Sequence, residues 1–400
     1  MPDPFEGPEK LLEIWFAQSP SDVDKSLRDV PRSVWEEMLD IVRCKVLNVI
    51  VGEETDAYLL SESSLFVAPH KLVLKTCGTT LNLYGLPRIL EIAEKHAGFK
   101  SVYRCFYSRK SFMFPDLQQG PHKDWKQEVE YLDKIFTNGA AYTIGKMNGD
   151  HWLLYLTDPD IQTNDVPHSP LERKVTLNHL DYTIEILMSG LSTPARQHFF
   201  FPESANPDDP KISTSHAIDL GQRIGISEIF PAHLTTIDAY SFIPCGYSAN
   251  ALIKWGEESL NSDCDSTHRH SGEGYYTIHV TPEEGWSYAS FECNVPLSVG
   301  QSAETKIPNL TSLIKRVVHI FQPSRLTLTL FISSDENESS QCGETAIETA
   351  QRAFKLALAD IPESSFGYPL DGSSRSYKRT DKINYEVGGY DLAFASFELK

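Results

Sequence analysis

The chain has 400 residues, 40% of them hydrophobic and 11% aromatic, enough for one large or two modest cores. Its 36 basic and 55 acidic residues leave a formal net charge of -19, which disfavours nucleic acid and anionic membranes as partners. The opening "MPDPFEGPEK" lacks an apolar leader and no stretch reaches the roughly 18 uncharged apolar residues of a membrane span, so a soluble, cytoplasmic protein is expected. Seven cysteines form no C-x-x-C pair, which suits a reducing compartment and argues against a metal site.

The first predicted element is a helix. Pro8 suits a first helical position, "EKLLEIWFA" carries an apolar stripe through Leu11, Leu12, Trp15 and Phe16, and Ser19-Pro20 ends it. On that helix Glu9 and Glu13 stand at i and i+4, where like charges repel by a few tenths of a kcal/mol. Next comes "YLLSESSLFV" (58–67), strand-like at both ends, with Ser61, Glu62, Ser63 and Ser64 placed where a strand interior wants hydrocarbon. A turn at "APHK", a strand "LVLKTC", a helix "LPRILEIAEKHAG" and a strand "SVYRCFYS" follow.

The second half repeats this β-β-α-β pattern, with "YYTIHVT", a turn at "PEEG", "WSYASFECN", a helix "NLTSLIKRVVHIF" and a strand "RLTLTLFIS". Hydrophilic stretches at 158–173, 202–210, 257–274 and 333–344 read as solvated excursions rather than linkers, so residues 1–400 form a single domain. The expected fold is α+β: a four-layer αββα sandwich of two antiparallel sheets flanked by helices, with an internal duplication.

The polar block at Ser61–Ser64 has a chemical reading. A serine hydroxyl on strained backbone can attack the preceding carbonyl, turning the Glu62-Ser63 amide into an ester. β-Elimination would then leave dehydroalanine, and hydrolysis a pyruvoyl group at a new N-terminus. The step needs a base, donors for an oxyanion, and strain to relieve.

Seven motifs in order, "FEGPEKLLEIWF", "YLLSESSLFV", "LKTCGTT", "FYSRKSFMFP", "DYTIEILMSGL", "FIPCGYSAN" and "YTIHVTPEEGWSYASFECN", make the chain resemble the eukaryotic pyruvoyl-dependent S-adenosylmethionine decarboxylases. The hydrophilic stretches are longer than in compact members of that family. The resemblance implies self-cleavage between Glu62 and Ser63 into residues 1–62 and 63–400, with Ser63 becoming the pyruvoyl group that forms a Schiff base with the substrate amine. It implies Cys77 as proton donor to the substrate α-carbon, and Ser248 and His279 as the processing pair, with Glu6 and Glu9 at acidic active-site positions. Phe5 and Phe242 would sandwich adenine, Glu62 would read the base edge through its backbone, and Glu283 would hold the ribose hydroxyls.

The same resemblance implies that Glu13, Lys75, Asp181, Thr183, Glu185, Glu292 and Phe331 form a buried charged site for putrescine as activator, with Asp181 and Glu185 on one helical face. A homodimer of processed units is compatible with it. The implied activity supplies the aminopropyl donor for spermidine and spermine. A second class, a non-catalytic regulatory homologue bound to an active partner, is disfavoured by the joint presence of Ser63, Cys77, Ser248 and His279.

Overall fold

The computed structural model describes residues 4–158, 181–201, 210–256, 272–298, 307–337, 344–359 and 375–400. Most of the hydrophilic stretches singled out above, together with Cys264 and Cys342, lie outside the described residues. Eight strands from the first half form one antiparallel sheet: β1 (Lys10–Trp15), β2 (Val46–Val51), β3 (Asp56–Leu60), β4 (Ser63–Val67), β5 (Lys71–Thr76), β6 (Arg104–Lys110), β7 (Gly139–Gly145) and β8 (His151–Thr157). A second sheet holds β9 (Tyr182–Leu191), β10 (Thr235–Ser241), β11 (Tyr247–Trp255), β12 (Gly272–Thr281), β13 (Tyr288–Cys293), β14 (Pro323–Ser333), β15 (Tyr377–Val387) and β16 (Tyr390–Leu399).

The spatial orders are β2-β3-β4-β5-β1-β6-β8-β7 and β10-β11-β12-β13-β9-β14-β16-β15. Counted from β9, the second order repeats the first strand for strand, so the duplication expected from the β-β-α-β pattern is present in the topology. Helices Arg32–Val42, Leu86–Ile92 and Trp125–Leu132 cover the outer face of the first sheet, while Leu310–Phe321 and Ala346–Ala359 cover that of the second. The helix Leu310–Phe321 shows why: Asn309 caps its N-terminus by accepting from the Ser312 N–H at 2.8 Å, and Leu310, Leu313, Ile314, Val317, Val318 and Phe321 bury one face.

Strand alternation then sorts the side chains. On β1, Leu12 and Ile14 join the helix-covered core, while Leu11 and Trp15 turn toward the other sheet. On β11 and β12, Tyr247, Ala249, Tyr276 and Ile278 face the helices, which leaves Ser248, Asn250, Thr277 and His279 between the sheets. Apolar clusters at Phe106, Leu154, Leu187 and Phe394 and at Phe66, Val73 and Leu252 close this middle layer around its polar residues.

Three expectations are corrected. The "EKLLEIWFA" segment is strand β1, not a helix, because it pairs on both sides, with β5 and with β6. Asp181 and Glu185 lie before and on strand β9, not on a helix. The segment 58–67 is a hairpin rather than one strand, with β3 and β4 joined at Ser61-Glu62 and Leu60 opposite Ser63. The acid pairs survive the change of element, since residues four apart share a face in a strand as well as in a helix.

Candidate active site

The β3–β4 turn is pinned from β2's side: the Ser61 N–H donates to the Lys45 carbonyl at 2.8 Å, and the Lys45 N–H donates to Ser61 Oγ at 3.0 Å. Ser63, the next residue but one, has φ of 146°, a conformation that a β-carbon disfavours by about 1–3 kcal/mol. Its Oγ is buried beside the Cys77 thiol, with no hydrogen bond of good geometry. The carbonyl oxygen of Glu62 accepts from the Cys77 N–H at 3.0 Å and from the Cys77 thiol at 3.2 Å. A strained peptide bond, an unengaged hydroxyl and a carbonyl with two donors therefore meet at one place. This is the donor arrangement that an oxyanion at Glu62 requires.

Cys77 sits just past the end of β5, and the turn it opens is held by three contacts. Gly78 N–H donates to the Glu6 carbonyl at 2.9 Å, Lys10 Nζ donates to the Gly78 carbonyl at 2.9 Å, and Thr80 Oγ1 donates to the Cys77 carbonyl at 2.6 Å. Gly78 has φ of 61°, and a Cβ there would stand 3.1 Å from the Phe5 ring, so glycine serves both the turn and the close approach of that aromatic. Burial pushes the Cys77 thiol well above its ordinary value, with the Glu62 carboxylate adding to the effect, and the thiol stays protonated.

The second sheet supplies the other wall. Ser248 on β11 and His279 on β12 are cross-strand partners, with Ser248 Oγ 3.0 Å from His279 Nδ1. His279 Nε2 lies 3.1 Å from Ser64 Oγ and 2.8 Å from Thr277 Oγ1. Burial drives the imidazole well below its usual pKa and Lys75 adds to it, so the ring is neutral and able to accept a proton.

A pocket of about 190 Å³ joins the two walls, lined by Phe5, Glu62, Cys77, Phe242, Ser248, His279 and Glu283 among others. One carboxylate oxygen of Glu283 has no hydrogen-bond partner. Burial raises the Glu62 carboxyl to about 7, with Lys10 opposing the shift. Two expected residues sit elsewhere. The Glu6 carboxylate accepts from the backbone N–H groups of Met113 and Phe114 at 2.8 and 2.7 Å, away from the pocket lining. Glu9 is buried behind it, accepting from Ser290 Oγ and from the hydroxyl of the pocket residue Tyr288 at 3.2 Å.

Beyond Glu9 the middle layer is acidic. Lys75 and Glu292 form an ion pair at 2.7 Å with both side chains 1% exposed, and Tyr275 donates to the other Glu292 oxygen at 2.8 Å. Glu185, opposite Glu292 across β9 and β13, accepts from Thr329 at 3.0 Å, and burial raises its carboxyl to about 7. A second, smaller cavity of about 40 Å³ is lined by Glu13, Asp181, Thr183 and Phe331, with Trp15, Lys71 and Tyr390. Asp181 accepts from Tyr390 at 2.7 Å, Phe331 stacks on Tyr390 at 4.6 Å, and Glu13 accepts from Trp15 Nε1 at 2.7 Å with Lys71 at 3.6 Å. Four of the seven residues assigned to a diamine line this cavity, and Lys75, Glu185 and Glu292 form the buried ladder beside it. Lys71, Trp15 and Tyr390 were not singled out in the sequence. Trp15 could have been, as the residue two beyond Glu13 on one strand face.

Fold and site together define a duplicated two-sheet protein built around a strained glutamyl-serine bond. The family model for adenosylmethionine decarboxylase matches residues 2–398, and the chain belongs to that family. It is 36% identical over 394 residues to the S-adenosylmethionine decarboxylase proenzyme of Xenopus laevis, covering 98% of this chain and 95% of that one. The proenzyme of Saccharomyces cerevisiae is 34% identical, with 100% and 93% covered, and that of Drosophila melanogaster 37%, with 98% and 95% covered. Among solved structures, a monomer of the Trypanosoma brucei enzyme shares the fold with a TM-score of 0.50 at 20% identity, over 84% of this chain and 99% of that one.

Proposed function

We propose that this protein is a proenzyme that cuts itself between Glu62 and Ser63 and then decarboxylates S-adenosylmethionine. The observation that carries the reading is the Glu62-Ser63 bond itself: φ of 146° at Ser63, an unengaged Oγ, and two Cys77 donors on the Glu62 oxygen. Family membership supports the same conclusion.

In the first step Ser63 Oγ attacks the Glu62 carbonyl carbon, and the Cys77 N–H and thiol hold the negative oxygen. The C–N bond breaks, the nitrogen takes the hydroxyl proton, and an ester remains. His279 Nδ1 then removes the α-proton of residue 63, and the Cβ–O bond breaks to release Glu62 as a carboxylate, with Ser248 supporting the imidazole. Dehydroalanine tautomerises to an imine, and water hydrolyses it to a ketone and ammonia.

The residues fit a pyruvoyl group at position 63: it would keep the Ser63 carbon skeleton, with Oγ gone and an oxygen from water in its place, next to Glu62 and Cys77 of the pocket lining. When present, that ketone supplies the electron sink for loss of the substrate carboxylate. Phe5 and Phe242 flank the space for adenine, Glu283 offers its unpartnered oxygen to the ribose, and the Cys77 thiol, kept protonated by burial, delivers a proton to the substrate α-carbon. The product is the aminopropyl donor for spermidine and spermine. The acidic cavity at Glu13 and Asp181 takes a cationic activator, putrescine being the diamine that the sequence resemblance implies.

Intact-mass analysis of the purified protein, with an assay for carbon dioxide release, tests the whole reading. The expected species are residues 1–62 and residues 63–400 blocked by a ketone, in an active preparation. A single uncut, inactive chain would favour the regulatory homologue instead.

A further inference from the structure

Which nitrogen of His279 carries the proton is decided by residues outside the processing set. Asn250 is fully buried on β11, between Ser248 and the next inward-facing position, and its cross-strand partner is Thr277. Its amide nitrogen donates to the Tyr58 carbonyl at 3.0 Å. A carbonyl can only accept, so this contact fixes the amide's orientation and turns Oδ1 toward Ser64, 2.6 Å away. Oδ1 can only accept as well, and the single Ser64 hydroxyl proton is committed to it.

The approach of Ser64 Oγ to His279 Nε2, at 3.1 Å, then needs a proton that Ser64 cannot give. With Nε2 unprotonated, Thr277 could donate to it at 2.8 Å, yet Ser64 Oγ would still face that nitrogen with no proton between them and would lose the donor it has in the other tautomer, an arrangement that costs free energy. With Nε2 protonated, it donates to Ser64 and to Thr277 at 2.8 Å, and Thr277 in turn can donate to Ser64 at 3.2 Å. The neutral ring has one proton, so Nδ1 keeps its lone pair and accepts from Ser248 at 3.0 Å.

We propose that Asn250, acting through Ser64, is a positioning residue that locks His279 in the Nε2–H tautomer and so leaves Nδ1 as the base on the pocket side. This rests on the reading of His279 as the base of the elimination, and extends it to residues on both sheets. Removing the Asn250 acceptor frees the Ser64 hydroxyl to turn and donate to Nε2, which would place the proton on Nδ1 and block the lone pair.

The test uses the full chain carrying Ser63→Ala, which stays uncut, with histidine labelled by nitrogen-15 and the His279 signals assigned by loss in a Ser63→Ala/His279→Asn chain. The expected spectrum has a protonated-type Nε2 and an unprotonated-type Nδ1. Adding Asn250→Leu should mix or invert the two, while Asn250→Asp, which retains an acceptor oxygen, should preserve them. In the Ser63 background, Asn250→Leu should slow appearance of the ketone about tenfold or more, with hydroxylamine cleaving the accumulated ester, and Asn250→Asp should restore most of the rate. A protonated Nδ1 in the Ser63→Ala chain, or an unchanged tautomer after Asn250→Leu, would overturn the proposal without any need for processing. Normal ketone formation in His279→Asn would instead overturn the base assignment, leaving the tautomer measurement to stand on its own.

Discussion

Cys77 reaches the Glu62 carbonyl oxygen twice, through its backbone N–H at 3.0 Å and its thiol at 3.2 Å. One residue thus serves the bond to be cut before processing and lies beside the substrate space afterwards, because the pocket includes both Cys77 and Glu62. The thiol takes part in both duties and the backbone N–H in the first only, so removing the thiol weighs on them unequally.

Cys77→Ala keeps the N–H donor and removes the thiol. Processing should slow by roughly ten- to a hundredfold, less than for a strong oxyanion donor because a thiol donates weakly. Decarboxylation should fall further, since the variant lacks the buried, protonated thiol proposed to return the proton. Cleavage is followed on denaturing gels and turnover by carbon dioxide release; normal turnover in the processed variant would remove Cys77 from the substrate reaction.

Ser63→Ala removes the attacking oxygen and leaves the fold. The variant should run as one uncut chain, unfold within about 1 kcal/mol of an uncut reference, and release no carbon dioxide. Activity in this variant would sink the pyruvoyl reading.

The contribution of the buried carboxyls to stability should fall as pH rises from about 5 to 7. Burial raises the Glu185 and Glu62 carboxyls from the ordinary 4.5 to about 7, and it raises Glu9 and Glu13 as well. At each of these carboxyls the folded chain holds a proton that the unfolded chain has lost, so deprotonation favours unfolding, while His279 and His122, whose pKa burial lowers, act in the opposite direction over the same window. Glu185→Gln, which has no proton to lose, should remove that residue's share, so the melting temperature of the variant relative to the unsubstituted chain should rise from pH 5 to pH 7 at fixed ionic strength. A parallel curve in the variant would show that Glu185 does not contribute.

Putrescine should raise processing, turnover or both, because a dication offsets carboxylates that burial otherwise keeps protonated. Asp181→Asn removes one carboxylate from the cavity wall while leaving the Tyr390 contact an acceptor. The diamine response should weaken in the variant, with spermidine as a size control. Equal titrations in the two proteins would make Asp181 a structural carboxylate only.

Much of this was legible in the sequence where side-chain period and chemistry agreed. The helix at Leu310–Phe321 and strand β14 follow their apolar spacing directly. The "SESS" block was conspicuous because polar residues interrupt an apolar run, and it proved to be the turn of a hairpin and the first residues of its second strand. Strand β1 was misread because "EKLLEIWFA" satisfies both periods; its pairing with β5 and β6, remote in sequence, decided the outcome. Asn250 and Thr277 gave no signal at all. Each looks like a lone polar residue in an apolar strand, and its meaning lies in Ser64 on the opposite sheet.

The repeated strand order carries a consequence for how the two halves depend on each other. The hairpin β3–β4 of the first sheet corresponds by position to β11–β12 of the second. The first bears the Glu62-Ser63 bond, and the second bears Ser248 and His279. Under the proposed function, one copy of the repeated hairpin is the substrate and the other the tool that works on it. On that reading neither half matures alone: a chain that lost its second sheet would keep Ser63 and Cys77 for the first step and lack Ser248 and His279 for the elimination.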